Sequence, residues 1–238
     1  MRMIQDYRDD LEPLLAAWRA REPFAFTRFG DGEAFILAAN PGFHVDLPTE
    51  NWRADEVDDV FRERLLAALS YDAEGYYVGL FARRKAGERF KWYARYIHEP
   101  VRAPRERRTF AEIWSYRNWG RFTVDDCRGA VLVCSRHDPA IEDVDVLLVP
   151  KNDAWTLDPK DTVEALQEKK KPVIVAAGPW SNVLIHEYWR TTAPEDRQPI
   201  INIGSALDPQ IHGRTTRNYH THIPRVLEFV WPAGGELS

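Results

Sequence analysis

Apolar positions along this chain switch repeatedly between a helical period and strand-length runs. Across about residues 5–20, Leu11, Leu14, Leu15 and Trp18 fall at helical spacing. Phe24-Ala25-Phe26, leading to Arg28, reads as a strand. Ala34-Phe35-Ile36-Leu37-Ala38 reads as the first turns of a helix, and Asn40-Pro41-Gly42-Phe43 as the loop that ends it. Asp55 to Ser70 predicts an amphipathic helix with Val57, Val60, Phe61, Leu65 and Leu69 on one face, and Tyr76 to Phe81 a strand. From Gly129 onward the alternation is regular. Strands are predicted at Ala130–Cys134, Asp145–Val149, Pro172–Ala177 and Ile200–Ile203, with helices at Asp161–Lys170 and Trp180–Arg190. Near-continuous apolar strands separated by helices predict an α/β, Rossmann-like fold: a mostly parallel sheet covered by helices on both faces.

The stretch from Ala82 to Asp126 breaks this rhythm. It is rich in Arg, Lys and aromatics and reads as a helical insert outside the sheet within one domain spanning 1–238. Basic residues interleaved with aromatics suit a solvated helical face, or a platform for a phosphorylated lipid or nucleic-acid acceptor.

Composition narrows the classes. The 238 residues are 44% hydrophobic and 29% charged, values of a folded globular protein with a substantial core. The net charge of −5 argues against a protein that grips nucleic acid by bulk electrostatics. Most of the nine Trp are expected in the core or an interface. The two cysteines, Cys127 and Cys134, form no C-x-x-C pair, so neither a zinc knuckle nor a redox couple is suggested. Residues Met1 to Tyr7 hold no apolar signal segment, and no apolar run approaches membrane-spanning length. The expectation is a cytoplasmic protein that meets a membrane only through a lipid-linked substrate or a partner.

The candidate chemistry gathers where strands end. Arg28-Phe29-Gly30-Asp31-Gly32-Glu33 lies at a strand-to-helix handover, the place where open α/β sheets bind ligands. Gly30 and Gly32 allow close backbone approach, and Arg28 can fork onto a phosphate. Asp31 and Glu33 offer hard oxygens to Mg2+ or Mn2+, while Asp31 can equally cap the helix. After the later strands come Ser135-Arg136-His137-Asp138, Lys151-Asn152, Gly178-Pro179-Trp180-Ser181 and Gly204-Ser205 with Asp208 beyond. All of these belong on one carboxyl edge of a parallel sheet. The helix opening at Gly178 and Ser181 can attract phosphate, and Ser181 can equally serve as its cap. Lys151 can neutralise a diphosphate. Arg214 and Arg217 lie in a basic segment that either closes over an anion or pins the C-terminal region to the sheet.

Four of these segments together resemble the bacterial glycosyltransferases with the GT-D fold: Arg28 to Glu33, Pro150-Lys151-Asn152-Asp153-Ala154-Trp155, Ala177-Gly178-Pro179, and Asn202-Ile203-Gly204-Ser205-Ala206-Leu207-Asp208. The resemblance implies a metal-assisted transferase using a nucleotide sugar, a UDP-sugar, with Asp31 and Glu33 at the metal and diphosphate and the other segments lining the donor site. Trp180-Ser181-Asn182 and the basic middle depart from the pattern. The acceptor implied is a hydroxyl of a glycan, glycoprotein or lipid-linked saccharide. An inverting reaction needs a base. Asp208 is the first candidate, followed by His137 and Asp138. Two rival readings remain open: a DNA-modifying glycosyltransferase acting on a hydroxylated base, and a nucleotide-sugar-binding subunit without transfer chemistry.

Overall fold

The computed structural model describes residues 7–38, 57–80, 94–110, 114, 122–135, 141–150, 154–204 and 206–207. Among the described residues, seven strands form one sheet: β1 (Ala25–Phe29), β2 (Tyr76–Leu80), β3 (Arg108–Phe110), β4 (Val131–Cys134), β5 (Asp145–Leu148), β6 (Val173–Ala176) and β7 (Ile200–Asn202). Their order is β3-β2-β1-β7-β6-β4-β5, and every pairing is parallel. The expected mostly parallel sheet is therefore parallel throughout its seven strands. β4 leads outward to β5 while its neighbour β6 leads inward to β7, so adjacent connections diverge and open a crevice at the carboxyl ends.

Alternation along the strands divides the interior in two. Ala25, Phe29, Val78, Val133, Val175 and Ile200 face one core, packed against helices α2 (Asp31–Ala38), α3 (Asp59–Ser70), α4 (Pro159–Lys169) and α5 (Trp180–Thr191). Phe26, Leu132, Cys134, Ile174 and Ile201 face the other, packed against Leu11, Leu14, Leu15 and Trp18 of α1 (Tyr7–Ala20). Both faces are covered, as the apolar runs require.

α3 begins later than its pattern predicts. The Asp58 side chain accepts the Phe61 N–H at 2.7 Å and caps the helix there. The buried stripe is then Phe61, Leu65, Ala68 and Leu69. Val60, expected on that face, is 57% exposed, because it stands one residue off the stripe.

The middle of the chain also departs from expectation. Read as an insert outside the sheet, it supplies the edge strand β3, whose three residues pair with Val78, Gly79 and Leu80. It also supplies Trp114, buried between the α1 core and Phe24, with the two rings stacked at 6.2 Å. Asp126 ties its end to α1. Burial raises the pKa of that carboxyl, but Arg19 at 2.7 Å and the Thr123 N–H at 2.8 Å outweigh this and hold it below the ordinary range. Cys127 beside it is buried, and its thiol is pushed up to about 12 by desolvation and by Asp126 and Asp125, so it is an unreactive core thiol. Trp18, Trp114, Trp180 and Trp189 are all buried, in keeping with the core role expected of most tryptophans.

Candidate functional site

Arg28 and Gly30 sit where β1 hands over to α2, and Asp31 is the first residue of that helix. The turn is closed from within. Glu33 is 4% exposed, and its Oε2 accepts the Gly30 N–H at 2.7 Å. This is the reciprocal half of a capping box, an acid at the third helical position reaching back to the residue before the helix. The Gly30 carbonyl accepts the Ala34 N–H, so the handover has no slack. A carboxylate here also lies at the favourable end of the helix dipole.

Asn182, fully buried on α5, joins this turn to the rest of the sheet edge. Its Oδ1 accepts the Arg28 N–H at 2.9 Å and an Asn202 Nδ2 hydrogen at 2.8 Å. Its Nδ2 donates to the Arg28 carbonyl at 2.7 Å and lies 3.5 Å from Glu33 Oε1. Asn202 Oδ1 in turn accepts the Gly204 N–H at 2.9 Å. Backbone donors and acceptors at both ends determine which way each amide points, and the full hydrogen-bonding capacity of Asn182 is engaged.

Gly204 completes the circuit. It adopts φ +57°, and an added Cβ would lie 3.0 Å from Arg28 Nε. The Arg28 side chain therefore crosses the turn after β7. Arg28, Gly30, Glu33 and Gly204 thus lie together on the carboxyl edge.

Other predicted positions meet differently. Gly178 is exposed at φ +58° with open space around it, directly after β6. Ser181 is buried, and its Oγ accepts the Ala177 N–H at 3.0 Å, a bracing contact within the turn. The Ser181 and Asn182 N–H groups donate back to the Gly178 and Pro179 carbonyls, so two of the amides expected to greet a phosphate are engaged. Trp180 lies in the core with its indole N–H on the Leu157 carbonyl, which accounts for a large residue where a small one was expected. His137, Asp138, Lys151, Asn152, Ser205, Asp208, Arg214 and Arg217 lie outside the described residues, as does the side chain of Asp31.

Part of the basic middle stands away from this edge. Arg107 donates to Asp72 and to the Ala73 carbonyl, which precede β2 at the amino end of the sheet. That guanidinium holds a loop rather than an acceptor. Arg108, on β3, has its pKa lowered by burial and by neighbouring Arg105, and it donates to the Ala103 carbonyl at 2.6 Å.

The sequence reading assigned no role to Asn182 or Asn202, although both fall inside quoted segments. The available signal was Asn202 itself, a polar residue inside Ile200-Ile201-Asn202-Ile203. Buried polar groups of this kind need partners, and here the partner is the second asparagine.

The donor chemistry suits a hard divalent cation in kind, since Asp31 and Glu33, both carboxylate residues, fall in the first turn of α2. Glu33 Oε2 accepts the Gly30 N–H and Oε1 lies 3.5 Å from the Asn182 amide nitrogen, while each carboxylate oxygen has two lone pairs. Among the described residues, no group of three or more His, Cys, Asp or Glu side chains comes together in a way that could hold a metal ion.

No protein-family model matches the chain, and no curated protein matches it. Among solved structures it is similar to one described as the highly conserved domain of unknown function 1792, with a distinct glycosyltransferase fold. The identity is 12%, the TM-score 0.55, and the match covers 93% of this chain and 95% of the other. The chain has a Rossmann-like glycosyltransferase fold. No helix among the described residues is long and apolar enough to cross a membrane.

Proposed function

We propose that this protein is a glycosyltransferase that moves a sugar from a nucleotide donor, a UDP-sugar, to an acceptor hydroxyl. The observation that carries the reading is the convergence of Arg28, Glu33 and Gly204 on the carboxyl edge of a glycosyltransferase-type sheet. In open α/β sheets, ligands bind at that edge.

Asp31 and Glu33 would hold Mn2+ or Mg2+ through carboxylate oxygens, with diphosphate oxygens filling positions that two carboxylates leave. When bound, such an ion neutralises charge on the departing diphosphate. Arg28 shares that task, since a guanidinium forks onto phosphate oxygens and carries its charge at any working pH. The tight turn at Gly30 holds the Glu33 carboxylate against the end of β1, so little reorganisation is required there as charge develops. The acceptor oxygen attacks the anomeric carbon as the bond to the diphosphate breaks. Asp208 or His137 takes the acceptor proton if configuration inverts. The acceptor class proposed is a glycan, glycoprotein or lipid-linked hydroxyl.

Calorimetric titration of UDP and a UDP-sugar panel, with and without Mn2+, tests this on the wild type and on Asp31→Ala. Metal-dependent UDP binding that disappears in the variant is the expected result. A protein that binds no uridine nucleotide refutes the donor assignment, and Asp31 then serves only the helix start.

A further inference from the structure

β1 loses its β7 neighbour before it ends. It pairs with β7 at Ala25 and Phe26 but continues beside β2 as far as Phe29. Its even-numbered residues turn their peptide groups toward β7, since the Phe24 carbonyl accepts the Ile200 N–H at 2.8 Å. Beyond Ile201 that ladder lapses: the Gly204 N–H, which a continued parallel register would give to the Arg28 carbonyl, donates to Asn202 Oδ1 instead. Both peptide groups of Arg28 therefore need another partner. The Asn182 carboxamide takes the ladder position. It accepts the Arg28 N–H and donates to the Arg28 carbonyl, as an adjoining strand would.

From this we infer that Asn182 is a positioning residue of the donor site: its amide acts as a surrogate strand that orients Arg28 and Glu33 toward the diphosphate. This rests on the nucleotide-sugar reading. One amide reaches the Arg28 main chain, the Glu33 carboxylate and, through Asn202, the Gly204 turn over which the Arg28 side chain lies. The turns that follow β1 and β7 thus share a single joint. The role requires a donor and an acceptor on one side chain, which an amide supplies and a carboxylate does not.

Asn182→Asp separates positioning from packing. The new side chain keeps an acceptor for the Arg28 N–H in nearly the same space, but as a carboxylate it has no hydrogen for the Arg28 carbonyl and repels Glu33. UDP binding with Mg2+ is measured at one pH on the variant and the wild type, with circular dichroism and the urea midpoint reporting fold and stability.

The folded variant is expected to bind UDP at least about tenfold more weakly than wild type. A purely structural asparagine predicts a lower urea midpoint with unchanged UDP binding by the folded protein. Asn202→Ala leaves both Arg28 main-chain bonds in place and decides the matter if the aspartate variant does not fold. Its expected effect is about three- to tenfold weaker UDP binding with the fold retained. Folded variants that bind UDP as wild type does overturn the positioning role and leave the donor site standing. A wild type that binds no UDP overturns both.

Discussion

Replacing Asn182 with leucine keeps the branched shape, adds some volume and removes every polar atom of that side chain. Four groups then lose a partner: the Arg28 N–H, the Arg28 carbonyl and the Asn202 amide, now bonded at 2.9, 2.7 and 2.8 Å, and Glu33 Oε1 at 3.5 Å, of which the first three set the cost. An unsatisfied buried group costs about 1–3 kcal/mol, so the three together cost about 3–6 kcal/mol after partial relaxation. Against a total stability of about 5–15 kcal/mol this is a large fraction. In a chain of this size each kcal/mol moves the Tm by about 2–4 °C, which puts the expected drop at about 6–24 °C. Urea unfolding followed by circular dichroism measures the loss as a lower midpoint at unchanged slope. Adding Asn202→Leu removes the orphaned amide, so the double variant should cost less than the sum of the singles by about 1 kcal/mol. A single-variant loss below about 1 kcal/mol, or strictly additive costs, refutes the shared-joint reasoning.

Glu33→Gln retains an acceptor for the Gly30 N–H, so its stability should stay within about 1 kcal/mol of wild type while Mn2+-dependent UDP binding falls; equal losses in both would make Glu33 a purely structural acid. Gly204→Ala forces a Cβ into a left-handed conformation and against Arg28 Nε. Its stability should fall by about 1–2 kcal/mol, with weaker UDP binding read by calorimetry, and unchanged binding would separate Arg28 from the donor site. His186 packs edge-on against Tyr71 at 4.7 Å, and burial lowers its pKa from the ordinary 6.5, with Arg190 adding to the shift and Glu187 opposing it. As pH falls below 6.5 the unfolded chain takes up this proton first, so the contribution present above that pH is lost on acidification. His186→Phe should flatten the stability profile between about pH 7.5 and 5, and an unchanged slope in chemical denaturation would assign the acid sensitivity to other groups.

The helix and strand periods made most of the fold legible, because each is written in residues a few positions apart. β2, β4, β5, β6 and β7 fall within the runs that predict them, and β1 runs one residue past its own, to Phe29. The handover at Arg28 to Glu33 was legible as a glycine turn opening a helix, but the bond from the Gly30 N–H to Glu33 was not, since the sequence offered Asp31 as the cap and Glu33 as a metal ligand. β3 was not. Arg108-Thr109-Phe110 has neither length nor apolar period, and it becomes a strand because β2 presents an open edge to it. The joint at Asn182 lay further out of reach. It acts on Arg28 across 154 residues and on Asn202 across 20, and neither distance leaves a periodic trace. The sequence by itself determined the elements, the two faces of the sheet and the acidic turn. Only the tertiary structure decided that β7 parts from β1 near Arg28, and that an asparagine from α5 supplies the hydrogen bonds a strand would have made. Which buried peptide group needs a partner depends on strand order, and strand order arises only when the whole sheet assembles.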